Sequence, residues 1–165
     1  MGLLWTITWF NYYILKFQIK YLPGHLFRNS MASSCTQMVA IPFSAFLYTK
    51  FSLKPTFTLL YIVSCIGGFL ILYLGHTHTF YMPVYLAIAK FGIAGCFLLL
   101  LTSTLEMFPL VFAAQALGFM NFFARFFTAG APQTAERPEP VPMIVFLSLC
   151  IAGTFLIWLA KPLKE

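Results

Sequence analysis

The chain has 165 residues, of which 61% are hydrophobic and only 8% carry a charge. An ordinary soluble domain has about 25% charged residues, so this composition excludes a water-facing surface of normal size. The formal charge of +6 comes from ten Lys and Arg against four acids. Because the basic residues stand singly rather than on one solvated element, they do not predict nucleic acid as a partner.

Six apolar segments follow one another along the chain, each near the length of about 20 residues that a helix needs to cross a bilayer core. They are residues 3–22, 31–49, 58–74, 84–103, 110–129 and 143–159. Short connectors predict antiparallel neighbours, and the even number places both termini on one side. The sequence therefore predicts an all-α, polytopic membrane protein with one six-helix transmembrane domain over residues 1–165.

The basic residues between the spans indicate an orientation. The side of the termini holds Lys50, Lys54, Lys161 and Lys164, and the opposite side holds Lys20, Arg28 and Arg137 together with Glu136 and Glu139. This bias favours termini in the cytosol or matrix. The first span has no basic n-region and no small-residue cleavage site, so we expect it to be retained.

Small side chains within the spans predict close helix packing. They gather in residues 31–35, 66–68 and 92–95, where neighbouring backbones can approach. The four cysteines are Cys35, Cys65, Cys96 and Cys150, and they form no CxxC pair. We interpret them as small packing residues.

Histidines do not predict a metal or heme site. His76 and His78 share one loop and could bind a metal, but no third ligand is near, so a solvated loop pair is favoured. His25 also lies near a span end, which leaves no buried axial pair. We expect no metal and no cofactor. Nor is there a catalytic triad, a carboxylate pair within a span or a phosphate loop, so the chain is not expected to be an enzyme.

Three cations fall within the predicted spans, where a central charge costs about 2.5–3.5 kcal/mol. Lys16 stands four residues before Lys20 near a span end, so snorkelling to the surface is favoured. The same route is open to Lys90, about two turns into its span. Arg125 lies about 15 residues into the fifth span with apolar neighbours on both sides, and we expect it to face a helix bundle or a cavity.

The turn between the fourth and fifth spans contains Glu106 and Pro109. Pro109 can begin a helix, and Glu106 would then lie near its positive N-terminal end. Both a structural cap and a gating role fit Glu106.

Together these residues form a pattern that resembles organic ion transporters of the major facilitator superfamily. The chain reads Lys90-x15-Glu106-x-Phe108-Pro109-x8-Gly118-x6-Arg125-x5-Ala131-Pro132. The corresponding pattern of that family is K…E-x-[FY]-P-T-x-x-R-x-x-G-x-G…R…[AS]-P. The following loop, with Thr134-Ala-Glu136 and then Pro138, Pro140 and Pro142, is similar to that of the organic anion branch.

Upstream, Tyr12-Tyr13 and Leu22-x-Gly24 resemble the start of the seventh helix of that family, so the chain resembles helices seven to twelve. The charged loop groups that latch the two halves in the family are changed. In the loop after the second span, Thr49 takes the place of the Asp, Ser52 of the Gly and Leu53 of the first Arg. In the turn before the fifth span, Leu110 takes the place of the Thr and Ala113 of the Arg, and the acid of the second span falls at Gln37. This loss argues against a working alternating-access switch.

The resemblance implies two functions. We favour a degenerate half-transporter that serves as a non-transporting accessory subunit of a larger membrane complex, in contact with lipids and other membrane subunits. A mitochondrial inner-membrane respiratory or ATP synthase assembly is the first host considered, and the plasma membrane is the alternative location. The second function is a secondary transporter of small organic anions. Its missing N-terminal half would come from another chain or a homodimer, and Arg125 and Lys90 would bind the substrate.

Overall fold

The computed structural model describes residues 1–22, 25–75, 77 and 79–159, and within these residues it contains helices and turns but no β-strand. The helices are α1 (Gly2–Gln18), α2 (Leu26–Lys50), α3 (Leu53–Leu74), α4 (Met82–Met107), α5 (Leu110–Thr128), α6 (Ala131–Ala135) and α7 (Val141–Leu159). A 3-10 turn at Thr79–Tyr81 precedes α4. The all-α prediction is confirmed.

Each predicted span coincides with one long helix, although the ends differ. Helix α1 ends at Gln18, four residues before the predicted end of the first span, and its chain then turns as Tyr21 and Leu22 donate their backbone N–H groups to the Gln18 carbonyl. Helix α2 begins at Leu26, ahead of the predicted start at residue 31.

Among the described residues, three helices are long and apolar enough to cross a membrane: α3, α4 and α7. The six-span prediction is thus confirmed only in part. The other three long helices are shorter or more polar. Helix α1 has only 17 residues, α2 carries a series of Ser and Thr side chains, and the apolar sequence of α5 is interrupted by Gln115, Asn121 and Arg125. Membrane crossing by these three helices stays a prediction.

Helix α4 lies at the centre of the bundle and contacts α1, α2, α3 and α5, while α7 packs on α3 and α1. The tightest approach joins α3 and α4. A Cβ atom at Gly67 would overlap the backbone of Ala89, and one at Gly92 would overlap the Leu60 carbonyl. The close packing predicted for residues 66–68 and 92–95 is confirmed. In residues 31–35 only Ser33 is buried.

Polar side chains in the core connect helices that are far apart in sequence. Trp5 Nε1 donates to Thr104 Oγ1 at 3.0 Å, and Thr8 and Tyr61 share a hydrogen bond of 2.7 Å. Asn11 Nδ2 donates to Cys150 Sγ at 3.3 Å. These bonds satisfy polar groups that would otherwise be costly to bury.

The cysteines do not share one environment. Cys96 and Cys150 are buried and Cys65 is half-buried, whereas Cys35 is exposed on α2. Cys35 is not packed in the core, because it borders an open groove between α2 and α4 that Val84 and Phe91 also line. His76, His78, Gly24, Lys161 and Lys164, which entered the loop, family and orientation predictions, lie outside the described residues.

Candidate functional site

Helix α1 carries an aromatic row on one side. Tyr12 and Tyr13 follow Trp9 by three and four residues, and these intervals place side chains on the same face of a helix. Trp9 stacks on Tyr13 with ring centres 5.6 Å apart, and its other side meets the edge of Phe97 of α4 at 4.9 Å. The row is therefore fixed against the central helix.

Each of the three cations predicted within the spans lies over one ring of this row. The guanidinium carbon of Arg125 is 5.2 Å from the centre of the Trp9 ring, and Lys90 Nζ is 5.0 Å from that of Tyr12. Lys16 Nζ is 5.7 Å from the centre of the Tyr13 ring. These distances are within the range of cation–π attraction. We call Trp9, Tyr12, Tyr13, Lys16, Lys90, Phe97 and Arg125 the cation–aromatic face.

The cations of this face differ in exposure. Lys90 is only 5% exposed and its ammonium group lies over the Tyr12 ring, so it is covered within the bundle instead of extending to the surface. Lys16 is exposed two residues before the end of α1, as snorkelling requires. Arg125 is exposed as well, but its guanidinium lies against α1 of the bundle.

Within the described residues, no acid pairs with any of these cations; their contacts are the three aromatic rings. The face is thus an uncompensated positive region, and a ring supplies only about 0.5–2 kcal/mol of attraction for each cation.

All three cations belong to the same end of the bundle. Lys16 and Arg125 precede the C-terminal ends of α1 and α5 by two and three residues. Lys90 follows Met82, the first residue of the antiparallel α4, by eight residues, which is about 12 Å along the helix. The face therefore lies toward the end of the bundle that bears the α1–α2 connection.

Hydrogen-bonding groups border the face. Tyr12 Oη donates to Gln37 Oε1 of α2 at 3.3 Å. The buried Trp9 Nε1 and the Asn121 Oδ1 have no partner among the described residues. A donor without a partner beside Arg125 gives this region the chemistry to bind an oxyanion.

Glu106 and Pro109 lie at the opposite end of the bundle. Pro109 directly precedes α5, and its carbonyl accepts hydrogen bonds from Phe112 and Ala113 at 2.8 and 3.0 Å. Glu106 belongs to the last turn of α4, and it accepts a hydrogen bond from Tyr48 Oη at 2.5 Å. Glu106 therefore joins α4 to α2 rather than capping α5, which begins without a side-chain cap bond.

Sequence reasoning did not identify Trp9 or Phe97 as members of the site. The signal for Trp9 was the spacing Trp9, Tyr12, Tyr13 and Lys16, which places three rings and a cation on one helix face. Phe97 is one of 20 Phe residues and has no comparable signal. Its role becomes visible only through the packing of α1 on α4.

No model of a known protein family matches the chain, and no curated protein matches it. The resemblance to organic ion transporters accordingly stays a prediction.

Proposed function

We propose that the chain is a six-span half-carrier and a non-transporting accessory subunit of a larger membrane complex, without enzymatic activity. The observation that supports this proposal is the cation–aromatic face, which presents Lys16, Lys90 and Arg125 on one side without a paired acid among the described residues. A charge in the hydrocarbon region costs about 2.5–3.5 kcal/mol. Lipid tails are therefore a poor cover for this face, and another polypeptide is a better one.

The proposal requires α1, α2 and α5 to cross the membrane beside α3, α4 and α7. The outer side of α5 favours this arrangement, since Phe119, Phe122 and Phe126 are each more than two-thirds exposed. Such a continuous apolar surface is stable in contact with lipid or a membrane protein but not with water. Helix α1 packs along α4, α5 and α7, and this packing supports a position in the same layer despite its length of 17 residues.

The half-carrier part of the proposal rests on the Lys90-to-Pro132 pattern. Carriers of the superfamily bind substrate between two six-helix halves, and one such half would supply only one wall of that site. The altered loop positions Thr49, Ser52 and Leu53 support a retained structural role over transport. As host we propose a respiratory or ATP synthase assembly of the mitochondrial inner membrane, with the plasma membrane as the alternative.

The mass of the native particle in mild detergent tests the proposal. We expect the 18.7 kDa chain to migrate within a particle several times larger that contains other polypeptides. Recovery of a free monomer under conditions that preserve known membrane complexes would contradict it.

A second candidate function is favoured by the buried Trp9 Nε1 without a partner. Arg125 lies over the ring of Trp9, and Lys90 lies over Tyr12, about one helix turn further along α1. Together the indole N–H, the guanidinium and the ammonium group are donors for a carboxylate or sulfonate. We propose as the alternative a half-site for small organic anions, completed by a second polypeptide. Uptake of a labelled aromatic carboxylate into reconstituted vesicles would test it, with Arg125→Ala expected to reduce uptake and Arg28→Ala, on another face, expected to preserve it.

A further inference from the structure

We propose that the cation–aromatic face binds a transmembrane helix of a different subunit, and that this helix carries at least one carboxylate below the membrane surface. The inference rests on the proposed accessory-subunit function and names the chemistry of its partner. It follows from the charge, the depth and the exposure of Arg125, Lys16 and Lys90.

The positive charge of the cation–aromatic face determines that its partner carries a negative charge. The face contains three cations from three helices, held by Trp9, Tyr12 and Tyr13 and by no acid among the described residues. An Asp or Glu side chain brought to this face would supply the negative charge that the described residues around the three cations lack. A carboxylate also accepts two hydrogen bonds from a guanidinium in the geometry that Arg favours.

Depth favours a protein carboxylate over a lipid phosphate. Arg125 reaches the Trp9 ring, and Trp9 lies nine residues before the end of α1, about 13 Å along the helix. Lys90 is at a similar depth in α4. A phosphate of a lipid head group reaches Lys16 near the surface, but an acid on a crossing helix reaches Arg125 as well.

The same charges disfavour a second copy of this chain as the partner. In a symmetric dimer each surface patch meets itself, so the three cations of one copy would face the three cations of the other. Like charges across an interface are costly when water is excluded. The face therefore selects a different polypeptide, and the homodimer considered from the sequence is disfavoured at this face.

Exposure makes two of the cations accessible to the partner. Arg125 and Lys16 are exposed, while Lys90 lies behind Tyr12. We expect Arg125 and Lys16 to form direct ion pairs with the partner, and Lys90 to contribute through its charge.

A hydrophobic carbodiimide in native membranes tests this inference directly. The reagent activates a carboxylate within the membrane, the Lys16 amine displaces the activated group to form an amide, and the carbodiimide leaves as its urea. We expect mass spectrometry to find Lys16 joined to an Asp or Glu of another membrane protein. Lys16→Gln should abolish this product. Lys50→Gln should preserve it, because Lys50 is an exposed lysine over the Phe46 ring at the other end of the bundle.

Charge reversal provides the second test. Arg125→Glu should lower the amount of co-purified partner at least about tenfold, equivalent to about 1.4 kcal/mol, and Arg125→Lys should retain most of it. The matched control is Arg28→Glu, because Arg28 also lies over a ring, that of Phe80, but on a different face of the same bundle end. Helix content by circular dichroism verifies that each variant folds.

The outcomes separate the two proposals. A large native particle that survives Arg125→Glu, with no Lys16 product, overturns this inference and leaves the accessory-subunit function standing. A free monomer overturns the function itself. Loss of co-purified anionic phospholipid on Arg125→Glu, with the particle otherwise intact, assigns the face to lipid and also overturns the inference.

Discussion

Lys90 Nζ lies 5.0 Å from the centre of the Tyr12 ring, so a lysine that is 5% exposed is held in the bundle by the face of a tyrosine. The phenol oxygen of the same ring donates to Gln37. One side chain of α1 thereby connects α4 and α2, and its loss should affect both.

Tyr12→Leu should destabilise the protein, because it leaves Lys90 buried without its aromatic partner. Lys90→Met alone should be neutral or stabilising, since it replaces a buried cation by an apolar chain of similar length. We expect a coupling energy of about 0.5–2 kcal/mol between the two positions, measured by denaturant unfolding of both single variants and the double variant in detergent. A coupling of zero would show that the ring does not hold the cation. Tyr73→Leu, at an exposed tyrosine of α3, is the control.

Gly67→Ala should destabilise the bundle strongly, because the added Cβ would overlap the backbone of Ala89 and force α3 and α4 apart. Overpacking of this kind costs about 1–3 kcal/mol. Gly118 provides the matched control within α5, since a Cβ at that position meets nothing within 4 Å. Gly118→Ala should be stabilising by up to about 1 kcal/mol through helix propensity. Thermal unfolding of the two variants measures the contrast, and equal effects would contradict the packing of α3 on α4.

Tyr48→Phe removes the hydrogen bond to Glu106 that joins α2 and α4. Because Glu106 is exposed, we expect a small loss of about 0.5–1 kcal/mol in the free energy of unfolding. Glu106→Gln in the Tyr48→Phe background should change the free energy of unfolding little further. An additional loss of stability would show that Glu106 contributes through a contact other than Tyr48. Tyr73→Phe serves as the control for removal of an exposed hydroxyl.

Cysteine exposure predicts an order of labelling. In detergent, a small maleimide should modify Cys35 first, because it is exposed on α2, and should modify the buried Cys96 and Cys150 only after unfolding. Peptide mass spectrometry after timed labelling measures the order, and Cys35→Ser should remove the fast phase. Rapid modification of Cys96 in the folded protein would contradict its position in the core.

Periodicity and turn chemistry carried most of the fold information that the sequence holds. The six apolar runs located the six long helices, and Gly67 and Gly92 marked the α3–α4 contact, because both signals are local. Helix pairing is not local. Arg125 and Trp9 are more than a hundred residues apart, so no residue near Arg125 in the sequence indicates that it contacts the Trp9 ring.

The candidate site shows where single-sequence reasoning ends. A lysine eight residues into an apolar helix can reach the surface or be covered, and only the position of Tyr12 decides that Lys90 is covered. The sequence predicts Glu106 in the turn between the fourth and fifth spans, whereas the structure has it in the last turn of α4. Its bond to Tyr48 depends on the C-terminal ends of α2 and α4 lying side by side. Pairings of this kind arise from tertiary packing, which overrides local preference.

The hydrogen bond between Asn11 and Cys150 joins the first helix to the last. Helix α1 is synthesised long before α7, so the Asn11 amide has no Cys150 neighbour until the last long helix has been made. Helix α7 is therefore the last helix to be synthesised and the one that completes the bundle. A chain that stopped before residue 141 would leave the Asn11 amide without this partner, whereas Ser64 would keep its hydrogen bond to the Ala89 carbonyl of α4.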